Sequence, residues 1–298
     1  GRGRGGDPRY RFPVPMHQMP LEVGLCVLSS SSSGNCSLLS VRRGLEVTTV
    51  LIDAGLSPRR TRRHLAEIGH PADRIDHIIL THLDRDHWYE GWARGRDEAT
   101  TIHVHRRHAG LAQRLGVTTG RTLVFSDAFE VVPGVVVHPI LVAHDSLGTA
   151  AFRVEFPGSG RTLGYATDTG RPSQELCDHL RGVDVLAIES NYCPVMQLAS
   201  DRSDDLKRRI MGGKGHLSNE ESARAVARIE PREMVVLLHL SRQCNRPERA
   251  LEVHARPGPS VMVSHHDRPG DWVGVVDPAK HVVPQVQAVR PAATLWEA

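Results

Sequence analysis

From Leu21 onward, short apolar runs alternate with stretches of helical period and with clusters of turn residues. Leu25 to Leu28 and Cys36 to Val41 flank the polar run Ser29 to Ser33 and Gly34-Asn35, which predicts two strands joined by a tight turn. Val47 to Ile52, rich in β-branched residues, predicts a third strand that ends at Asp53-Ala54-Gly55. A helix follows: Ser57 is a fitting N-cap, Pro58 stands where a missing N–H costs nothing, and Gly69 stops the helix after Leu65 and Ile68. Ile75 to Leu80 reads as a buried strand.

The middle of the chain is mainly β. Val131 to Val137 predicts a hairpin around Pro133-Gly134, Phe152 to Phe156 alternates apolar and polar ahead of a Gly158-Ser159-Gly160 turn, and Thr162 to Ala166 is a further strand. Later the α/β pattern returns. Val183 to Ile188 and Met234 to Leu238 predict strands, and Ser218 to Glu221 is a capping box for a helix through Ile229. No linker divides residues 21–285 and no repeat period is visible, so one domain is expected there, with two pseudo-equivalent halves compatible with the pattern. Residues 1–20, rich in Gly, Arg and Pro, are expected to form a disordered basic tail, and 286–298 a C-terminal tail.

Composition narrows the function classes. No run approaches the ~18 apolar residues of a membrane span, and residues 1–20 lack the apolar centre of a signal peptide. The cysteines (Cys26, Cys36, Cys177, Cys193, Cys244) are odd in number and include no C-x-x-C pair, which predicts thiols in the cytoplasm. Net charge is +3, which permits an anionic substrate without requiring one, and aromatics are scarce at 4%. Histidine is abundant, with 18 copies, so a single His is weak testimony to a ligand.

A cluster is stronger. Thr81-His82-Leu83-Asp84-Arg85-Asp86-His87 sets two imidazoles and two carboxylates directly after an apolar strand, and His144, Asp168 and His239 follow three other strands. These are the side chains that bind Zn, Mn or Fe, and seven donors suit two ions bridged by one carboxylate.

These residues, together with Ser32-Ser33-Gly34-Asn35, Leu51 to Ser57, Glu189-Ser190-Asn191, Gly215 to Asn219 and His239-Leu240-Ser241, resemble the metallo-β-lactamase fold superfamily, closest to its YycJ/WalJ/VicX group of hydrolases. The resemblance implies a four-layered αββα architecture of the α/β (α+β) class, two mixed sheets face to face with helices outside. It assigns His82 and His144 to a first ion and Asp86, His87 and His239 to a second, with Asp168 bridging. It implies a phosphodiesterase or nuclease that attacks with a hydroxide held between two divalent ions, Zn first and Mn or Fe compatible. The substrate is then a phosphodiester such as nucleic acid, and no membrane partner is expected. Asp86 and His216 are the residues expected to carry the reaction, His216 as proton donor.

The sequence departs from the superfamily signature at Asp84, which stands in place of a His. A carboxylate still ligates, and it shifts preference toward harder ions. Lys207, Arg208, Arg209 and Lys214 flank a glycine-rich stretch ahead of His216 as a basic loop able to hold a phosphate, with Lys207, Arg208 and Lys214 expected to bind the substrate. Arg59, Arg60, Arg62 and Arg63 are read as a solvated helical face. His103, His105 and His108 are read as surface histidines on an edge strand. The alternatives are a hydrolase of a lactone or thioester on the same fold, and a metal-binding protein whose first site, altered at Asp84, no longer turns over.

Overall fold

The computed structural model describes residues 20–95, 98–118 and 121–276. The tail expected at 1–20, save residue 20, and that at 286–298 lie outside the described residues, as do 277–285 of the expected domain. The first half runs β1 (Leu21–Ser29), β2 (Cys36–Arg43), β3 (Glu46–Ile52), α1 (Pro58–Glu67), β4 (His77–Ile79), α2 (Trp92–Gly95), β5 (Thr101–His105), α3 (Ala109–Arg114) and β6 (Thr122–Phe125). The second runs β7 (Phe129–Val132), β8 (Val135–Val142), β9 (Thr149–Phe156), β10 (Arg161–Ala166), α4 (Gln174–His179), β11 (Val185–Glu189), α5 (Pro194–Ala199), α6 (Asp204–Met211), α7 (Asn219–Ile229), β12 (Met234–Leu238), α8 (Pro247–His254) and β13 (Ser260–Val263). A last strand, β14 (Val273–Val276), returns to pair with β1.

The strands form two seven-stranded mixed sheets, ordered β14-β1-β2-β3-β4-β5-β6 and β13-β12-β11-β10-β9-β8-β7. Each is antiparallel up to one strand and parallel beyond it. The switch falls at β3 in the first sheet and at β10 in the second, so the two halves are pseudo-equivalent.

Period-2 patterning builds the layers. In β1, Leu25 and Val27 face the second sheet while Cys26 and Leu28 face the helices, and both sets are buried. The central core joins Leu39, Val50 and Ile52 of one sheet to Phe152, Phe156, Leu163 and Tyr165 of the other. Outside, Leu65 of α1, Trp92 of α2 and Ala112 of α3 cover the first sheet, while Leu176, Val226, Ile229 and Ala250 cover the second. This is the expected αββα sandwich. Truncating a buried aromatic such as Phe152 to Ala would cost about 3–5 kcal/mol. Among the described residues no helix is long and apolar enough to cross a membrane.

Local signals operate as anticipated. The Ser57 side chain accepts from the Arg60 amide, and Gly69 turns the chain after α1 at φ 69°. Ser218 and Glu221 form the reciprocal capping box of α7, an arrangement worth about 1 kcal/mol. One reading is corrected. β5 lies inside its sheet, between β4 and β6, and His103, His105 and His108 are buried. His103 stacks on Phe129 at 5.1 Å between ring centroids and His105 packs edge-on against Phe125, so the alternation that suggested a solvent face is an imidazole–phenyl seam inside the sandwich.

Candidate metal centre

All the predicted donors lie past strand ends on one rim of the sandwich, where ligand loops of α/β sheets gather. The loop after β4 is fixed from below. Asp53, at the end of β3 with φ 62°, is fully buried and accepts hydrogen bonds from the Thr81 amide (2.8 Å) and hydroxyl (2.9 Å). It also accepts from His87 Nδ1 at 2.7 Å, which turns His87 Nε2 toward Asp168. Asn35 has its Oδ1 held by the Ser30 hydroxyl and the Ser31 amide, so its Nδ2 donates to Asp86 Oδ2 at 3.2 Å.

The predicted donors fall into two groups, each with ligand atoms mutually within 4.8 Å, Asp86, His87, Asp168 and His239, and His82, Asp84 and His144, while a third set, Asp168, Glu189, His216 and His239, overlaps the first. Asp168 links the two groups, its Oδ2 lying beside His87 Nε2 and 3.6 Å from His82 Nε2. Its Oδ1 is 2.6 Å from His239 Nδ1. The Asp84 carboxylate reaches both imidazoles of its group, 3.8 Å from His82 Nε2 and 3.9 Å from His144 Nε2. The shorter side chain is therefore not withdrawn from the first group.

The donor chemistry fits divalent ions. His82 Nδ1 is engaged by the hydroxyls of Thr81 (3.0 Å) and Thr149 (3.2 Å), and His144 Nδ1 by the Gly215 carbonyl (3.0 Å), leaving Nε2 of each ring directed inward. His82 Nε2 and Asp168 Oδ1 are buried and lack a hydrogen bond of good geometry, the state expected of ligand atoms. Burial, together with His87, holds His82 well below the ordinary imidazole range, in the neutral form that offers a lone pair. Burial would also raise the Asp168 carboxyl, but His239 and His87 outweigh it and hold it well below the carboxylate range. Burial would lower His87 and His239, but the surrounding carboxylates, Asp168 foremost, hold both well above theirs. These buried carboxylates demand positive charge among them, and a divalent ion supplies it compactly.

A second layer includes residues to which sequence reasoning gave no role. Glu189 is fully buried at the end of β11; its Oε2 accepts from the Thr169 amide at 2.8 Å, and its Oε1 from His216 Nδ1 at 2.7 Å. Burial opposes charge on His216, yet Glu189 and Asp168 prevail and raise it to about 9. Asp53 and Glu189 both follow apolar strands, the same signal that identified His144, Asp168 and His239.

The cleft over the donors is lined by His216, Asp145, Arg202 and Arg209 among others. Of the residues expected to bind phosphate, Lys207 turns away and donates to the Leu198 carbonyl at 2.8 Å. Arg208 pairs with Asp205, and it lines with Lys214 a shallow depression that shares Arg209 and Asp145 with the cleft. The cause is helical phase: Leu206, Arg209 and Ile210 form the face of α6 that meets the cleft, and 207 and 208 fall on other faces. The Arg209 Nη2 lies 3.1 Å from Asp145 Oδ1, and Arg202 bonds Gln197 and Gln243.

The chain is similar to exodeoxyribonuclease WalJ of Streptococcus pneumoniae serotype 2 (strain D39), 26% identical over 238 residues that cover 75% of this chain and 84% of that protein. It is similar at 27% identity over 229 residues, with the same shares covered, to exodeoxyribonuclease YycJ of Bacillus anthracis. The fold matches the crystal structure of the metallo-β-lactamase fold protein YhfI from Bacillus subtilis, with TM-score 0.63 and 16% identity, covering 85% of this chain and 99% of that one. Residues 48–240 match the family described as beta-lactamase superfamily domain. That match takes in more than half of the chain, including both donor groups, and the protein belongs to the beta-lactamase superfamily.

Proposed function

We propose that this protein is a metal-dependent phosphodiesterase that cleaves DNA, with Asp86, His87 and His239 at one divalent ion, His82, Asp84 and His144 at another, and Asp168 between them. The observation that carries the reading is the convergence of seven donors, from four separate strand ends, on two adjoining groups sharing one buried carboxylate. The names of the WalJ and YycJ relatives support DNA as the substrate class. Five buried free cysteines support a reducing, cytoplasmic setting.

Divalent ions bound there supply Lewis acidity, which lowers the pKa of water to about 7 and neutralises charge on phosphoryl oxygens. The chain's own residues do the rest. Arg202 and Arg209 face the cleft, where guanidinium groups bind phosphate oxygens in bidentate fashion. His216 is kept protonated by Glu189 through Nδ1, so its Nε2 holds a proton for the departing oxygen. Asp53 and Asn35 hold the His87 ring and the Asp86 carboxylate in place.

The test is hydrolysis of bis(p-nitrophenyl) phosphate and of a labelled single-stranded oligonucleotide by Zn- and Mn-loaded protein, beside Asp168→Ala and with elemental analysis of metal. Turnover of both substrates well above the variant, with two ions per chain, is expected. Activity no higher than that of Asp168→Ala would overturn the enzyme reading. One ion per chain would overturn the two-ion assignment.

A further inference from the structure

The cleft above the donors continues across the surface. Arg202, Gln243 and Ser32 line both the cleft and a groove that adds Ser33 and Arg242. Arg242 is in turn a wall of a third depression, shared with Arg246, His265 and Arg268. The three hollows therefore adjoin one another through shared walls, from the cleft at Asp168 to the depression at Arg268.

Its charge is unspent. Arg242, Arg246 and Arg268 are exposed, and among the described residues none of them, nor Arg202, forms an ion pair with a carboxylate. Their contacts are neutral or weak: Arg242 Nη1 lies 3.5 Å from Ser33 Oγ, Arg246 Nη1 donates to the Asn245 carbonyl at 2.7 Å, and Arg268 Nη2 lies 3.3 Å from His265 Nε2. Arg249, in the first turn of the helix that begins just after Arg246, is by contrast engaged by Glu220 and Glu252. Asp267 is the sole carboxylate lining the far depression among the described residues. At the far end α1 adjoins the path, since Arg60 Nη2 donates to the His266 carbonyl at 3.0 Å.

We infer that Arg242, Arg246 and Arg268 form a track for the sugar–phosphate backbone of a single DNA strand, leading away from the phosphate held at Arg202 and Arg209. The inference rests on the phosphodiesterase reading and adds to it the path and mode of substrate binding. Unpaired guanidinium groups along a groove match the spaced charges of a polynucleotide, and each phosphate they neutralise releases counterions. Among the described residues no Phe, Tyr or Trp lines the groove or the far depression, where His265 and His266 are the only aromatic rings, so stacking is subordinate to the charge of the arginines. The track holds backbone and is indifferent to sequence.

The experiment compares wild-type full chain with the triple variant Arg242→Gln/Arg246→Gln/Arg268→Gln on two substrates. One is bis(p-nitrophenyl) phosphate, which has no strand beyond the cleft; the other is a mixed-sequence single strand of about twenty nucleotides. The KM for the strand should rise about tenfold or more, and the slope of log KM against log salt should fall by about 2, the release expected for three single-strand phosphate contacts. Turnover of the small diester should stay within about twofold. An unchanged KM and salt slope on the strand overturns the track and leaves the phosphodiesterase reading standing. Parallel loss on both substrates also overturns it, because the arginines would then be acting on the centre or the fold. Wild-type turnover of the diester without cleavage of the strand overturns the DNA assignment itself.

Discussion

His87 Nδ1 lies 2.7 Å from Asp53 Oδ2, with both side chains fully buried, so the orientation of a candidate ligand imidazole is decided by a carboxylate from the neighbouring strand. Asp53→Asn leaves the shape but removes the negative acceptor. Metal affinity should fall about 10- to 100-fold. Competition with a chromogenic chelator measures this, and affinity equal to wild type would show that Thr81 and the loop alone fix the ring.

Asp84 reaches both His82 and His144, so on the proposed two-ion reading the first ion is separable from the second. Asp84→Ala should lower metal content from two ions to one per chain. Asp84→His should retain two and raise the ratio of Zn- to Mn-supported activity, since an imidazole replaces an oxygen donor that favours harder ions. Elemental analysis and metal-titrated turnover check both, and loss of both ions from Asp84→Ala would mean that the two groups bind only together.

Leaving-group chemistry isolates the Glu189–His216 pair. A p-nitrophenolate leaves without a proton, whereas the sugar alkoxide of DNA needs one. His216→Asn and Glu189→Gln should therefore cut kcat on the oligonucleotide by about 10²–10⁴ while costing far less on bis(p-nitrophenyl) phosphate. Equal losses on the two substrates would assign His216 to binding or folding instead.

Buried neutral histidines make stability fall with acid. Burial foremost, with His77 as neighbour, lowers His103 from its ordinary 6.5 to about 3; burial, with His105 and Arg107 as neighbours, lowers His108 to about 4. Between pH 6.5 and 4 the unfolded chain therefore binds protons that the folded chain refuses, and stability declines as pH falls, by about 1.4 kcal/mol per pH unit for each histidine. Urea unfolding across that range should show the slope, and His103→Gln should flatten it. A slope untouched by that substitution would place the acid sensitivity elsewhere.

Much of this was legible in the sequence because strands and donors obey local rules. The apolar run Leu25 to Leu28, the Ser57 and Ser218 caps and the Pro133-Gly134 hairpin all act within a few residues. So does the placing of His144, Asp168 and His239 directly past apolar runs, and those elements form as read. What escaped depends on contacts between distant segments. Nothing local to Asp53 says that a ring 34 positions later will rest on it, nor that Glu189 will meet a histidine 27 positions on. The phase of α6 decided that Arg209 rather than Lys207 meets the cleft. The burial of His103 followed from β6 pairing outside β5, which a polar alternation in β5 could not announce.

Asp53, Asp168 and His239 all sit at strand ends with positive φ, at 62°, 49° and 57°. Glycine takes this backbone shape at no steric cost, and other residues hold it at an expense in stability of order 1 kcal/mol or more. Each of the three side chains is buried and bonded or paired to its neighbours on the rim, which holds the backbone in that shape. The chain carries acids and an imidazole at three positions where glycine would sit without backbone strain. Asp84 reaches both imidazoles of its own group from the same rim, so the strained strand ends and the short carboxylate converge on one place in the fold.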